Sequence, residues 1–345
     1  MRRCIICTLH NANNIGAFLQ AYSLMTVIKQ LGVETVEFAT FPSKASSERH
    51  NLLGKIIRYI KAGDIKKLLY KTRTTSMYRN IHASLPTVDM STQPKADYAI
   101  IGSDEVWNIK SLNFVHYSAY LGHNLNADRI VAYAPCGNGV TAADFREIMP
   151  EERLQAFTAL SARDEDTLKC AKEVSEKEVV RVVDPTMLIG DFGVEFPPCP
   201  VKNKFMLVYS YGIAKEYIGE LKKFAKENRL SLISVGTYNS WCDKNVIASP
   251  WEFLGYLKAA KYVVASTFHG TILSVKFNKQ FVCYAGNSNK VNDVLSFYNL
   301  KDRNITQRNE LQAKFDTPIV YNKVNLKIES SRQYSLNYLK QAMGV

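Results

Sequence analysis

Long apolar runs are missing from this chain of 345 residues, and none approaches the ~18 consecutive apolar residues that a membrane-spanning helix needs. Met1-Arg2-Arg3 is followed by only Cys4 to Leu9 before His and Asn interrupt, so no secretory leader is expected and the cytosol is the expected location. The seven cysteines (4, 7, 136, 170, 199, 242, 283) are odd in number and scattered, which suits reduced thiols rather than a disulfide frame. Cys4-x-x-Cys7 lies within the apolar run Cys4-Ile5-Ile6-Cys7 and reads as strand filling, not as a redox or zinc motif. His10, His50, His82, His116 and His123 have no metal-ligand spacing, so no metal is expected. With no Walker loop or GxGxxG fingerprint, ATP hydrolysis and nicotinamide chemistry are disfavoured, and no bound cofactor is expected. No zinc-finger, RNP-like or helix-turn-helix signature is present, so nucleic acid is not expected as a partner. Internal repeats and low-complexity tracts are absent too.

What is there is ordinary globular composition, 46% apolar and 22% charged, over a length that one hydrophobic core does not usually support. The net charge of +12 is concentrated, since the segment 44–80 alone carries +8 of it. Within that segment Leu52, Leu53, Ile56, Ile57 and Ile60 share one helical face, while Lys55, Arg58 and Lys61 occupy the other. Such a basic amphipathic helix either packs its apolar stripe on the parent domain or docks on an anionic membrane surface.

Strands and helices then alternate in two series, the pattern of doubly wound α/β domains. The first has strands at Arg2–Leu9, Val33–Phe38, Tyr98–Ile101, Ile130–Ala134, Thr158–Ala162 and Val179–Val183, with a helix at Gly16–Leu31. A segment holding Pro197, Pro198 and Pro200 reads as a linker. The second has strands at Phe205–Ser210, Leu230–Val235, around Tyr262–Val264 and at Phe281–Tyr284, with helices at Ala214–Asn228 and Trp251–Ala260. This gives an N-terminal Rossmann-like domain over 1–190 with the basic insertion 44–80, a linker over 191–204, and a second Rossmann-like domain over 205–310. The tail 311–345 is expected to be helical and to pack back on the first domain. The two domains are expected to face each other across a cleft.

In parallel α/β sheets the site forms beyond the carboxyl ends of the strands, which singles out four stretches. His10-Asn11-Ala12-Asn13-Asn14-Ile15-Gly16 follows the first strand, and Gly102-Ser103-Asp104-Glu105-Val106-Trp107-Asn108 follows Tyr98-Ala99-Ile100-Ile101. Ser161-Ala162-Arg163-Asp164-Glu165 brings an arginine out at a strand end. Finally, in Ser266-Thr267-Phe268-His269-Gly270-Thr271, the pattern puts His269 at a turn, outside the core, with a helix starting just after Gly270. Asn14, Ser103 and Asp104 could equally be helix caps, and Arg163 could be a surface ion pair.

Taken in order, GAFLQAYSL, DYAIIGSDEVWN, RIVAYAP, SARDEDT, VVDPTMLI and SPWEFLGYLKAAKYVVASTFHGTILSVKFNKQFV resemble the polysaccharide pyruvyl transferase family over most of the chain. Two departures are Glu105, where Gln is more usual, and Pro135-Cys136-Gly137 in place of an Ala/Ser-rich turn. The resemblance implies two domains of glycosyltransferase-B type, transfer of a pyruvyl group from phosphoenolpyruvate to a sugar as a cyclic ketal, and work on a cell-surface polysaccharide precursor. It leaves open whether the acceptor is lipid-linked. On it, His269 is expected to transfer a proton or hold phosphate, and Asp104 to orient or deprotonate an acceptor hydroxyl. Arg163, Ser266, Thr267, Gly270 and Thr271 are expected on the donor, with helix N–H groups near Thr271 facing its anion. Asn14, Gly16, Ser103, Glu105 and Trp107 are expected on the acceptor. Cys136 is the reserve proton donor. A nucleotide-sugar glycosyltransferase and a non-catalytic capsule-assembly scaffold are the alternatives.

Overall fold

The structure is a computed structural model that describes residues 1–41, 64–110 and 118–345. The amphipathic stretch 52–61 lies outside the described residues.

Two five-stranded parallel sheets form the frame. In the first, β1 (Arg3–Cys7), β2 (Thr35–Thr40), β3 (Thr87–Asp89), β4 (Ala96–Ile101) and β5 (Ala127–Ala132) lie in the order β3-β2-β1-β4-β5. A short parallel pair, β6 (Leu160–Ala162) with β7 (Val179–Arg181), continues this layer through a bridge between Val131 and Ala159. The second sheet contains β8 (Phe205–Tyr209), β9 (Ser231–Val235), β10 (Lys244–Val246), β11 (Tyr262–Ala265) and β12 (Gln280–Cys283), in the order β10-β9-β8-β11-β12. Each sheet starts centrally, steps to one edge and then reverses, so each has a switch point beside its first strand, where ligand crevices form. The central strands are buried on both faces, which is why they read as continuous apolar runs such as FMLVY. Cys4 and Cys7 are buried within β1, and burial raises both thiols, Cys7 to about 12.

Several boundaries differ from the sequence reading. β5 stops at Ala132, two residues early, because Ala134 takes a left-handed φ of 56° that no strand accommodates. The helix carrying His269 begins at Phe268, before Gly270, because Thr267 is its N-cap. Thr267 Oγ1 accepts the Gly270 N–H at 3.0 Å, a cap that Gly270 had obscured in the sequence. The three-residue edge strands β3 and β10 carry too little periodicity to be read.

The helix Ile15–Gln30 is buried around most of its circumference, with Phe18, Leu19, Leu24 and Ile28 all in the core. It lies between the two units: Phe18 and Tyr22 meet Trp251 of the second unit edge-on, with ring centroids 5.6 and 4.7 Å apart. A helix with apolar side chains on most of its faces belongs in such a place. The final helix, Tyr321–Met343, contacts both units: Tyr338 donates to the Ala132 carbonyl at 2.9 Å and Ser335 Oγ accepts from Val183 N at 2.9 Å in the first, while Tyr321 donates to the Lys279 carbonyl in the second. From the basic segment the helix Ile65–Ala83 is described; its Tyr70 donates to the Val246 carbonyl of the second unit at 3.0 Å. No helix among the described residues is long and apolar enough to cross a membrane.

Candidate active site

Four chain segments converge where the first unit meets the second. Asp184 lies three residues beyond β7 and caps the short helix Pro185–Leu188. Its Oδ1 accepts from Thr186 N at 2.9 Å and Thr186 Oγ1 at 2.7 Å, which leaves the buried Oδ2 to other segments. Oδ2 takes Arg163 Nη1 at 2.9 Å and Ser103 Oγ at 3.4 Å, with His269 Nε2 at 3.7 Å. Arg163 follows β6 directly; its guanidinium carbon stands 4.0 Å from the Phe268 ring centroid, and Nη2 lies 3.8 Å from Asp104 Oδ1. Asp104 itself sits in a left-handed backbone conformation, φ 68°, just after β4. Held conformations of this kind concentrate at functional sites.

His269 occupies the first turn of its helix and is 8% exposed. The space for its ring exists because residue 16 is glycine: a Cβ there would stand 2.1 Å from His269 Nδ1 and 2.2 Å from Cγ. Nε2 is buried with no hydrogen-bond partner. Burial lowers the imidazole below its ordinary range; Asp184 and Asp104 oppose this, while Arg163 and Lys290 reinforce it. The resting ring is therefore neutral near pH 7. For Asp184 burial works against the charge, but His269, Arg163 and the Thr186 hydrogen bonds outweigh it and hold the carboxyl below its usual range. Burial likewise opposes the charge on Arg163, and neighbouring anions including Asp184 and Asp104 more than offset it.

A second cluster borders the first. Glu105 receives Lys290 from the other unit through Oε1, while Asn108 and Asn138 donate to Oε2 at 2.6 and 3.1 Å. Further contacts bridge the units: Arg181 with Asp293 at 2.5 Å, Asn289 donating to Asp166 at 3.0 Å, and Asn14 donating to Tyr211 Oη at 2.5 Å.

A family model for polysaccharide pyruvyl transferases matches residues 14–288, which spans both units and every residue of the first cluster. The chain belongs to that family. It is accordingly a transferase. Comparison with curated proteins gives no match. Among solved structures, a UDP-N-acetylglucosamine 2-epimerase superposes with a TM-score of 0.57 at 9% identity, covering 99% of this chain and 95% of that one. The MnaA–UDP complex of S. aureus gives 0.51 at 12% identity, with 99% and 96% covered. At such identities the likeness concerns architecture, and it makes the transferase glycosyltransferase-B-like in fold.

Against this geometry the expected site residues of the transferase separate. His269, Asp104, Arg163 and Ser103 come together. His269, expected at an exposed turn, is instead buried, because the helix starts earlier and the ring packs on Gly16. Gly16 thus makes room for the histidine and is itself covered by it. Arg163, expected to face the donor, is 4% exposed and engaged with two carboxylates. The amides of Gly270 and Thr271 are already paired with Thr267, both at 3.0 Å, since the cap lies three residues before Gly270. Ser266 Oγ is 2.7 Å from Ser210 Oγ. Trp107 is fully buried against Phe145 and donates to the Tyr120 carbonyl at 3.0 Å, so it fills core and offers no acceptor surface. Asn14 caps the helix Ile15–Gln30 through Oδ1 and uses its amide on Tyr211. Cys136 is fully buried, and burial followed by Asp164 raises its thiol well above the usual value, which argues against an exchangeable proton there.

Sequence reasoning assigned no role to Asp184, Lys290, Asn138 or Tyr211. Asp184 had a usable signal, an Asp before Pro just after an apolar strand. Lys290 and Tyr211 had none, since only docking of the two units shows what they face.

Proposed function

We propose that the cleft transfers the pyruvyl group of phosphoenolpyruvate to two hydroxyls of a sugar in a polysaccharide precursor, forming a cyclic ketal. The observation that carries this reading is the buried, unpartnered Nε2 of His269, 3.7 Å from a carboxylate that Arg163 already holds. An imidazole kept neutral by burial gains a proton when an anionic group approaches it, so donor phosphate entering beside His269 would load the ring. The loaded ring then protonates C3 of the enol as one sugar hydroxyl adds to C2. Phosphate leaves from C2, a second hydroxyl adds in its place, and its proton departs with phosphate or to a carboxylate. Asp104, held toward Arg163 at 3.8 Å, is the group assigned to orient or take an acceptor proton. Arg163 and Asp184 fix these two groups in place, and Lys290, with a side chain 25% exposed, is the cation nearer solvent that would meet the donor's anion.

Pyruvyl transfer to a polysaccharide follows from the family, while the donor and the ketal extend what the resemblance implies and are supported by a site that sets a histidine beside fixed cations and a carboxylate. Exposed Lys66, Arg73 and Arg79 on the helix Ile65–Ala83 extend a basic surface, and we assign the segment 44–80 to contact with anionic membrane, where a lipid-linked acceptor would be met.

Phosphate release from phosphoenolpyruvate with a panel of sugar and lipid-linked acceptors tests the reading. His269→Ala should lower turnover by the ~10²–10⁴ typical of acid–base catalysis. His269→Gln separates the roles, because glutamine hydrogen-bonds phosphate but carries no proton near neutral pH. Retained activity in Gln with loss in Ala would restrict His269 to phosphate binding. Stabilisation by nucleotide sugars with no response to phosphoenolpyruvate would overturn the donor assignment.

A further inference from the structure

The Glu105 carboxylate is largely buried and is held from three directions. Its two oxygens receive three side-chain donors from three segments: Asn108 three residues on, Asn138 from the loop after β5, and Lys290 from the second unit. Asn138 reaches it from a left-handed backbone position, φ 47°, within the turn Gly137-Asn138-Gly139. Asn108 is buried, and the Glu105 side chain retains only 11% exposure. Two amide donors and one ammonium converging on one carboxylate form a donor set that would fit the carboxylate of a ligand as well as that of Glu105. The amides satisfy the Oε2 lone pairs that the Lys290 contact on Oε1 leaves open, so the donor set is complete for any carboxylate that takes the place of Glu105. Burial opposes the charge on Glu105, but Lys290 and Asn108, with a smaller share from Arg163, outweigh it and hold the carboxyl below its usual range, while burial and, to a smaller extent, Lys290 lower His269. The Glu105–Lys290 pair therefore sits at charge-interaction range from the residue assigned to proton transfer.

We propose that Asn108, Asn138 and Lys290 form a carboxylate-binding cradle, and that Glu105 is a built-in occupant which a ligand carboxylate replaces. That this ligand is the enolpyruvyl donor rests on the function proposed above; the cradle itself does not. Displacement would swing Glu105 out through the cleft side and leave Lys290 bonded to the incoming anion. The empty transferase then avoids exposing an unpaired lysine between its units, and the ligand must outcompete an internal carboxylate, which weakens its apparent affinity.

Chemical rescue tests this directly. In Glu105→Ala the cradle is vacated, and acetate should raise the melting temperature saturably, whereas wild-type protein should respond no more to acetate than to chloride. Phosphoenolpyruvate and pyruvate should bind Glu105→Ala at least tenfold tighter than wild type by calorimetry, and adding Lys290→Met should abolish the gain. If Glu105→Ala does not fold, Glu105→Gln supplies the same comparison, with a neutral side chain competing poorly for the ammonium. Tighter pyruvate binding without tighter phosphoenolpyruvate binding would uphold the cradle and sink the donor assignment. An identical response of wild type and both Glu105 variants to acetate and pyruvate would overturn the cradle, whatever phosphoenolpyruvate does.

Discussion

Gly16→Ala isolates the packing that places His269. The added methyl would lie 2.1, 2.2 and 2.6 Å from Nδ1, Cγ and Cβ of His269, all inside the ordinary contact limit. The histidine belongs to the rigid first turn of its helix and is buried, so relief requires the ring to retreat by roughly an ångström, a misplacement of the scale that can cost ~10²-fold in rate. Overpacking of this kind costs about 1–3 kcal/mol, and the better helix propensity of alanine returns about 1 kcal/mol. Gly219→Ala is the matched control, since Gly219 lies within the helix Lys215–Glu227 with nothing within 4 Å of the added methyl. That variant keeps the propensity gain without the clash. In domains of 150–250 residues about 1 kcal/mol moves the melting temperature by about 2–4 °C, so the two variants should differ by roughly 2–12 °C, with Gly219→Ala the more stable. The assays are calorimetric melting and NMR titration of the His269 ring, neither of which needs the acceptor. A Gly16→Ala protein with the melting temperature of Gly219→Ala and an unchanged His269 titration would refute the argument that Gly16 is there to admit the ring.

Asp184→Asn should destabilise the protein by about 3–5 kcal/mol in urea unfolding, because it leaves buried Arg163 without its closest anion. A loss below about 1 kcal/mol would show that Asp104 alone can hold the guanidinium. Acid sensitivity follows from the same cluster. The native state lowers both His269 and Asp184, so the unfolded chain binds more protons and stability rises with pH. Stability should thus begin to fall as the pH drops below about 6.5 through His269, and fall again below about 3.9 through Asp184. Asp184→Asn should remove the second limb and deepen the first, since Asp184 opposes the lowering of His269, and unfolding curves across pH 3–8 would show a flat profile if the cluster does not titrate with folding. For the segment 44–80, association with anionic liposomes should disappear as salt rises past the point where the Debye length shrinks below ~8 Å. Equal binding to neutral vesicles, or none to either, would count against the membrane assignment.

Much of the architecture was written in local pattern. The buried parallel strands announce themselves as runs such as CIIC and FMLVY, because both faces of a central strand are covered. The helix Ile15–Gln30 was legible as a helix, whereas its burial around most of its circumference, including the Trp251 contacts, came from the second unit. The order of motifs carried the family, and the residues after each strand carried His269, Arg163 and Asp104 as members of one site. What the sequence could not decide was which way those groups face and what holds them. Burial of His269 depends on a glycine more than 250 positions away, and the donors around Glu105 come from segments as far apart as residues 108 and 290. Local periodicity reports on the nearest turn or pleat, whereas charge, exposure and proton affinity are set by neighbours that meet only when the two units dock. For that reason strand-end position marked the candidates in the sequence, and only tertiary packing turned Trp107 and Gly16 into supports and made Asp184 and Lys290 partners of the histidine.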